Sequence, residues 1–258
     1  MTGHPAAFLD LPGGARALVF DEIDSTNQEA LRRIRAGEGQ DGLWITAKTQ
    51  TSGRGRRGRE WLSARGNFFA SVLVKLRIPL ARASELSFVA ALAAGQSITE
   101  LIANKGCVSF KWPNDILIDG KKAAGILIES ESGLKSKENW VVAGIGINTS
   151  SAPEGVRYPA TFLNNYISDK INENKMLELL SKAWIRSLAV LDEEGFGVVR
   201  KLWLNKAEGL AREICVRVGD DDYKGTFEGL GEGGELVLRL ADGKKMEIIA
   251  GDVTELNL

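Results

Sequence analysis

The spacing of apolar and polar positions divides the chain into two textures. Arg16 to Phe20 reads as a first strand, followed by Asp24-Ser25-Thr26-Asn27-Gln28-Glu29. Ser25 with Gln28, or Thr26 with Glu29, fits a capping box, and Ala30, Leu31 and Ile34 follow at helical spacing before a stop at Gly37. Ser25 to Asn27 are therefore predicted at a helix N-terminus, with hydroxyls and amides available to a polar ligand. Strands are predicted over Leu43 to Lys48 and Phe68 to Leu76, with an Arg/Gly loop between them. Pro79 to Asn104 reads as one or two apolar-rich helices closed by Gly106. Strands then dominate: Cys107 to Lys111, Ile116 to Ile118, Ala123 to Glu129 and Trp140 to Ile147, with Asp119-Gly120 a two-residue hairpin signal. A helix from about Asn172 to Glu193 carries Leu177, Leu180, Trp184, Leu188 and Leu191 at three- and four-residue steps, which marks them as core. Gly195 opens a further helix ending near Ala207. Beyond Gly209 the texture changes to short strands between Gly and Asp turns: Ile214 to Val218, Tyr223 to Phe227, Glu235 to Leu240 and Lys245 to Ile249. The prediction is a first domain over 1–209 and a five-stranded barrel over 210–258.

Composition narrows the chemistry. Of the 258 residues, 44 % are apolar and 26 % charged, as in ordinary globular proteins. Lys and Arg number 33 against 34 Asp and Glu, so any cation cluster is local, and a surface devoted wholly to gripping nucleic acid is disfavoured. Cys107 and Cys215 each lie in an apolar, strand-like run and are expected in the core, unbridged. The single histidine, His4, is in the N-terminal tail, which removes His-based acid–base chemistry and most zinc catalysis. No run approaches the roughly 18 apolar residues of a membrane span, and no signal-peptide pattern opens the chain, so a cytoplasmic protein is expected.

Three segments carry candidate chemistry. Gly53-Arg54-Gly55-Arg56-Arg57-Gly58-Arg59-Glu60-Trp61 satisfies the string G-x-G-x-x-G, but no apolar helix follows and no acidic residue stands at the required distance, so a dinucleotide fold is rejected. What remains is four guanidiniums among glycines: planar donor forks suited to carboxylate and phosphate, on a backbone able to approach an anion. A solvated surface loop and an RNA-binding segment fit the same residues. Lys111-Trp112-Pro113-Asn114-Asp115 joins two strands, and Asn114 with Asp115 fits either a ligand site or a simple turn cap. Across the Asp119-Gly120 hairpin, Lys122 falls close to the strand carrying Asp115, and Ala123, Ala124 and Gly125 leave room against the sheet. Ala143-Gly144-Ile145-Gly146-Ile147-Asn148 is a strand whose glycines suggest close approach of a ligand or backbone.

Taken in order, Ser25-Thr26-Asn27, the Gly53 to Arg59 loop, Lys111 to Asp115, Lys122 to Leu127 and Gly144 to Asn148 resemble the markers of biotin protein ligases. Gly195-Phe196 followed by Trp203, and Ala250-Gly251-Asp252-Val253 in the tail, extend the likeness over nearly the whole chain. The resemblance implies an α+β fold: a core like that of class II aminoacyl-tRNA synthetases, with a mixed, largely antiparallel sheet flanked by helices, and then an SH3-like barrel. It implies biotin and ATP as substrates, Mg2+ travelling with the ATP, and a biotin carboxyl carrier protein as acceptor. Biotin would be held by Ser25, Thr26, Asn27, Gln50, Arg54, Gly55, Arg56, Lys122 and Gly125. ATP would be held by Arg54, Arg56, Arg57, Arg59, Trp61, Lys111, Asn114 and Asn148. Lys122, Arg56 and Lys111 would act in catalysis by charge, with Asp115 as acceptor of the incoming lysine's proton.

Two departures and two rivals qualify the likeness. Fewer than 25 residues precede Ser25, too few for the helix-turn-helix that some family members carry, so no DNA binding is expected; the chain also ends Thr254-Glu255-Leu256-Asn257-Leu258, without the arginine often found near the family's terminus. Lipoate–protein ligase is the nearest rival, but its Arg-Arg, Gly-Gly-Gly and His-Asp features are absent. An RNA-binding module using the Arg loop and barrel is the rival from another class, and the charge balance opposes it. Monomer and weak homodimer are both left open.

Overall fold

The computed structural model describes residues 4–256 except 104, 133–138, 157, 168 and 170. Two sheets and four helices organise them. The larger sheet comprises β1 (Ala7–Asp10), β2 (Arg16–Ile23), β3 (Leu43–Gln50), β4 (Phe68–Lys75), β5 (Val108–Lys111), β6 (Asp115–Ile118), β7 (Lys121–Ser132) and β8 (Asn139–Ile147). Their spatial order is β1-β2-β3-β4-β8-β7-β6-β5, and only the β2–β3 pair is parallel. The fold is thus mixed α+β, with a large, mostly antiparallel sheet.

Period-two alternation sorts this sheet's side chains onto two faces. Trp44, Val72, Val74, Val141 and Ala143 face one cluster, shared with helices α2 (Glu85–Leu101), α3 (Glu173–Glu194) and α4 (Phe196–Leu204). Leu43, Ile45, Leu73, Trp140 and Val142 face the other, against helix α1 (Thr26–Ala36) through Ala30, Leu31 and Ile34. The α3 register is as the spacing predicts: Leu177, Leu180, Trp184 and Leu191 are buried and Leu188 partly so. Asp119 (φ 49°) and Gly120 (φ 72°) form the tight turn between β6 and β7, and positive φ at both positions suits the right-handed twist of a hairpin.

The smaller sheet contains β9 (Glu213–Val218), β10 (Asp221–Leu230), β11 (Leu236–Arg239), β12 (Lys245–Ile248) and β13 (Asp252–Leu256), in the order β12-β11-β10-β9-β13, all antiparallel. Its Ile214, Val216, Phe227, Leu236 and Leu238 belong to the same apolar cluster as α2 to α4. Trp112 Nε1 donates to the Gly234 carbonyl at 3.1 Å. The tail is therefore cemented to the first sheet by burial, about 25 cal/mol per Å² of apolar surface, rather than tethered to it.

Four expectations change. The capping box does not form: Ser25 is the N-cap but its side chain makes no cap bond, and the Thr26 N–H is taken by Gln50 Oε1 at 2.8 Å. Glu29 turns instead to Arg32 and Arg33, one turn on, and is fully buried between them. Cys107 is exposed, because β5 begins one residue later and Cys107 lies beside the hairpin turn, its N–H on Asp119 Oδ1; Cys215 is buried as expected. The edge strand β1, with Phe8 exposed, was not predicted, since it is short and has no alternating face. Helix α4 stops at Leu204, short of Ala207. Asn104, Asn257 and Leu258 lie outside the described residues. No described helix is long and apolar enough to cross a membrane.

Candidate active site

On β8 the residues facing α1 run Trp140, Val142, Gly144, Gly146, so the side chains of that face shrink to nothing toward one end. Gly125 pairs with Gly146 and Leu127 with Gly144 across the β7–β8 ladder. At Gly125, Gly144 and Gly146 the strands carry no side chains of their own on this face, and beside them lies a cavity of about 720 Å³. All of the site residues anticipated from sequence line it, from Ser25 at the head of α1 to Asn148 after β8.

The strand glycines make room for protein side chains. A Cβ on Gly144 would overlap Asn27 Oδ1 and reach within 2.8 Å of its Cγ. A Cβ on Gly146 would lie 2.5 Å from Trp61 Cε2, and one on Gly125 would lie 2.9 Å from Trp61 Cζ3. The Trp61 indole thus rests across both glycines, its Nε1 buried without a hydrogen-bond partner and Lys122 Nζ 5.4 Å from the ring centroid. A buried, unpaired indole N–H is costly unless something completes it.

The polar end of the cavity is organised by hydrogen bonds. Ser71, fully buried on β4, lies 2.7 Å from Thr26 Oγ1 and donates to Asn27 Oδ1 at 2.6 Å. Asn27 Nδ2 donates to Glu129 Oε2 at 2.9 Å, which fixes which way the amide points. Gln50 accepts from the Thr26 N–H and donates through Nε2 to Ser63 Oγ at 3.0 Å, tying the helix start to the segment after the Arg loop.

The Arg loop is largely exposed but anchored, since each arginine reaches a carboxylate of the body. Arg54 pairs with Glu129 at 3.0 Å. Arg56, Arg57 and Arg59 converge on Asp252 of β13 at 3.3, 3.5 and 2.8 Å. Arg56 also donates to Asn114 Oδ1 and the Gly251 carbonyl. Arg56 is the least exposed of the four, and that burial, helped by its arginine neighbours, lowers its pKa against the pull of Asp252.

A second cation cluster faces it. Lys122 Nζ is 2.6 Å from Asp115 Oδ1, and Lys111 Nζ 3.5 Å from Asp115 Oδ2 and 4.1 Å above the Tyr158 ring. Burial lowers the Lys111 pKa. Burial alone would raise that of Asp115, but Lys122 and Lys111 overcome it and hold the carboxyl below its ordinary value of 3.8. Asn148 lines the cavity while its Nδ2 donates to the Thr161 carbonyl at 3.1 Å, pinning that segment beside β7.

The sequence reading did not identify Ser71, Glu129, Tyr158 or Asp252 as site residues. Period two along β7 would have put Glu129 on the face of Gly125 and Leu127. Asp252 entered the sequence reading only within the Ala250-Gly251-Asp252-Val253 likeness, and no local pattern ties it to partners almost two hundred residues away. Among the described residues no group of three or more His, Cys, Asp or Glu side chains could hold a metal ion.

The geometry has clear parallels among known proteins. A model of the Biotin/lipoate A/B protein ligase family matches residues 19–148. The chain is 36 % identical over 228 residues to the biotin–[acetyl-CoA-carboxylase] ligase of Paracoccus denitrificans, covering 86 % of this chain and 94 % of that one. The structure of biotin protein ligase from Aquifex aeolicus in complex with biotin and ATP matches with a TM-score of 0.75 and 27 % identity, over 92 % of this chain and 97 % of that chain. The Leishmania major biotin protein ligase in complex with biotinyl-5-AMP matches with a TM-score of 0.66 and 25 % identity, over 91 % and 98 %.

Proposed function

The chain belongs to the Biotin/lipoate A/B protein ligase family, and on that premise we propose that it joins biotin to ATP as biotinyl-5'-AMP and transfers biotin to a lysine of a biotin carboxyl carrier protein. The observation that carries the reading is the convergence of Arg54, Arg56, Lys111 and Lys122, from three separate stretches of chain, on one cavity lined by the strand glycines Gly125, Gly144 and Gly146 and by the Trp61 indole that rests on two of them. A vitamin-derived mixed anhydride needs such a setting: an apolar bed for the ring system and fixed cations at the carboxyl–phosphate junction. In this reading the domain division falls at 209/210, the first part being the synthetase-like core and the second an SH3-like barrel.

In the first step a biotin carboxylate oxygen attacks the α-phosphorus of ATP, and the bond to pyrophosphate breaks. Magnesium comes in on the ATP phosphates as part of that substrate. Ser25, Thr26, Asn27 and Gln50 meet the ureido ring, while the backbone of Gly55 and Gly125 packs beside the ligand. Arg54, Arg56 and Lys122 hold the carboxylate and α-phosphate; Arg57, Arg59 and Lys111 add positive charge toward the nucleotide. Trp61, Asn114 and Asn148 border the adenosine. Preorganised cations of this kind act by electrostatic stabilisation in a site that excludes water. In the second step the acceptor amine attacks the activated carbonyl, and AMP leaves with the anhydride oxygen. Asp115, ionised and shared by two ammoniums, is better suited to counter-ion duty than to the proton-accepting role that the resemblance implied.

The test is incubation with labelled ATP and biotin, following pyrophosphate and adenylate, then addition of an apo carrier domain and detection of biotinyl-lysine. Biotin-dependent pyrophosphate release followed by carrier labelling is the expected result. Release that needs lipoate and ignores biotin would overturn the ligand assignment.

A further inference from the structure

Glu129 stands where the two halves of the site meet. Its Oε2 accepts from Asn27 Nδ2 at 2.9 Å, and its Oε1 pairs with Arg54 Nη1 at 3.0 Å. The side chain is 18 % exposed, Asn27 is 3 % exposed, and Arg54 is 42 % exposed. One carboxylate on β7 therefore connects a buried amide at the head of α1 with the first arginine of the Gly/Arg segment, about seventy-five residues upstream in the chain.

We infer that Glu129 is a positioning residue that links the amide facing the ligand's ring to the anchorage of the Arg loop, one oxygen serving each task. This rests on the biotin-ligase reading above. A carboxylate accepts only, so it dictates that Asn27 presents NH2 toward β7 and its oxygen toward Ser71. The same charge gives Arg54 a fixed partner at the wall of the cavity. The amide and the loop thus share one partner. No other described side chain hydrogen-bonds or ion-pairs with both.

The two oxygens can be separated by substitution. Glu129→Gln keeps a carbonyl for Asn27 but loses the charge that holds Arg54; Glu129→Ala removes both. Full-length variants are compared with wild type for KM of biotin, KM of ATP, kcat of biotin-dependent pyrophosphate release, escape of free adenylate into solution, and melting temperature. Glu129→Gln is expected to keep the biotin KM within about twofold and to release adenylate about tenfold faster, roughly the effect of losing one hydrogen bond to a charged group. Glu129→Ala is expected to raise the biotin KM about tenfold as well. Because Arg54 also meets the ligand, adding Arg54→Ala to Glu129→Gln is expected to raise leakage, but by less than the same change does in wild type, since the partners form one unit. The inference is overturned if both variants leak and bind as wild type does, if Gln and Ala are indistinguishable, or if Arg54→Ala adds its full effect. Should Glu129→Ala not fold, the near-isosteric Gln variant and its double mutant still decide. A wild-type protein with no biotin-dependent pyrophosphate release would sink the underlying function instead.

Discussion

A methyl group at Gly144 is the most discriminating single probe of the site. Gly144 has ordinary extended backbone within β8, so alanine brings no conformational strain there. Its new Cβ would instead overlap Asn27 Oδ1 and stand 2.8 Å from Asn27 Cγ. Relief requires the amide to retreat by about 1 Å, given normal carbon contact distances of roughly 3.5 Å. The retreat breaks the hydrogen bonds to Ser71 and Glu129, the latter to a charged group. At about 2 kcal/mol for that loss, the biotin KM should rise close to thirtyfold, with the ATP KM unchanged. Pyrophosphate release titrated separately with each substrate measures both. A double-mutant cycle supplies the control: in an Asn27→Ala background the methyl has space, so Gly144→Ala should add almost nothing. A folded Gly144→Ala protein with a wild-type biotin KM, or full additivity with Asn27→Ala, would refute the reasoning.

Three further outcomes follow from the charge clusters. Lys122→Ala should slow adenylation about a hundredfold, near 3 kcal/mol of transition-state stabilisation, in single-turnover pyrophosphate release. Arg56→Ala should weaken substrate binding and let adenylate escape, seen as free biotinyl-AMP after gel filtration, with little change in thermal stability because its pair with Asp252 is partly solvated. For Asp115 the folded pKa lies below 3.8, so its contribution to stability is complete above that value and lost as pH falls through the lowered one. The stability gap between wild type and Asp115→Asn, from denaturant midpoints, should stay flat above about pH 5 and close only in stronger acid; a gap closing near neutrality would show a raised pKa.

Much of the molecule was readable because local patterns and tertiary demands agree. Alternation over Leu43–Gln50, Phe68–Lys75 and Asn139–Ile147 follows from one face meeting α1 and the other meeting α2 to α4. Asp119-Gly120 announced its turn because few other residues adopt positive φ there. The site residues could be assembled because each marker is short and ordered along the chain. What escaped was contact between distant segments. Ser71 looks like any strand serine until the helix start arrives above it. The capping box was legible but wrong, because Gln50, 24 residues away, supplied a competing acceptor. Cys107 was misplaced by one residue of strand boundary, the least certain feature of any pattern.

The grip of Asp252 on Arg56, Arg57 and Arg59 also has a temporal meaning. A ribosome delivers the guanidiniums early, yet their carboxylate emerges 196 residues after Arg56. Throughout that interval Arg56, Arg57 and Arg59 lack the carboxylate that they share in the folded chain. Only when β13 zips onto β9 is the trio neutralised in part and aimed. A product that stops short of β13 therefore keeps Arg54 on Glu129 but leaves Arg56, Arg57 and Arg59 without their shared carboxylate.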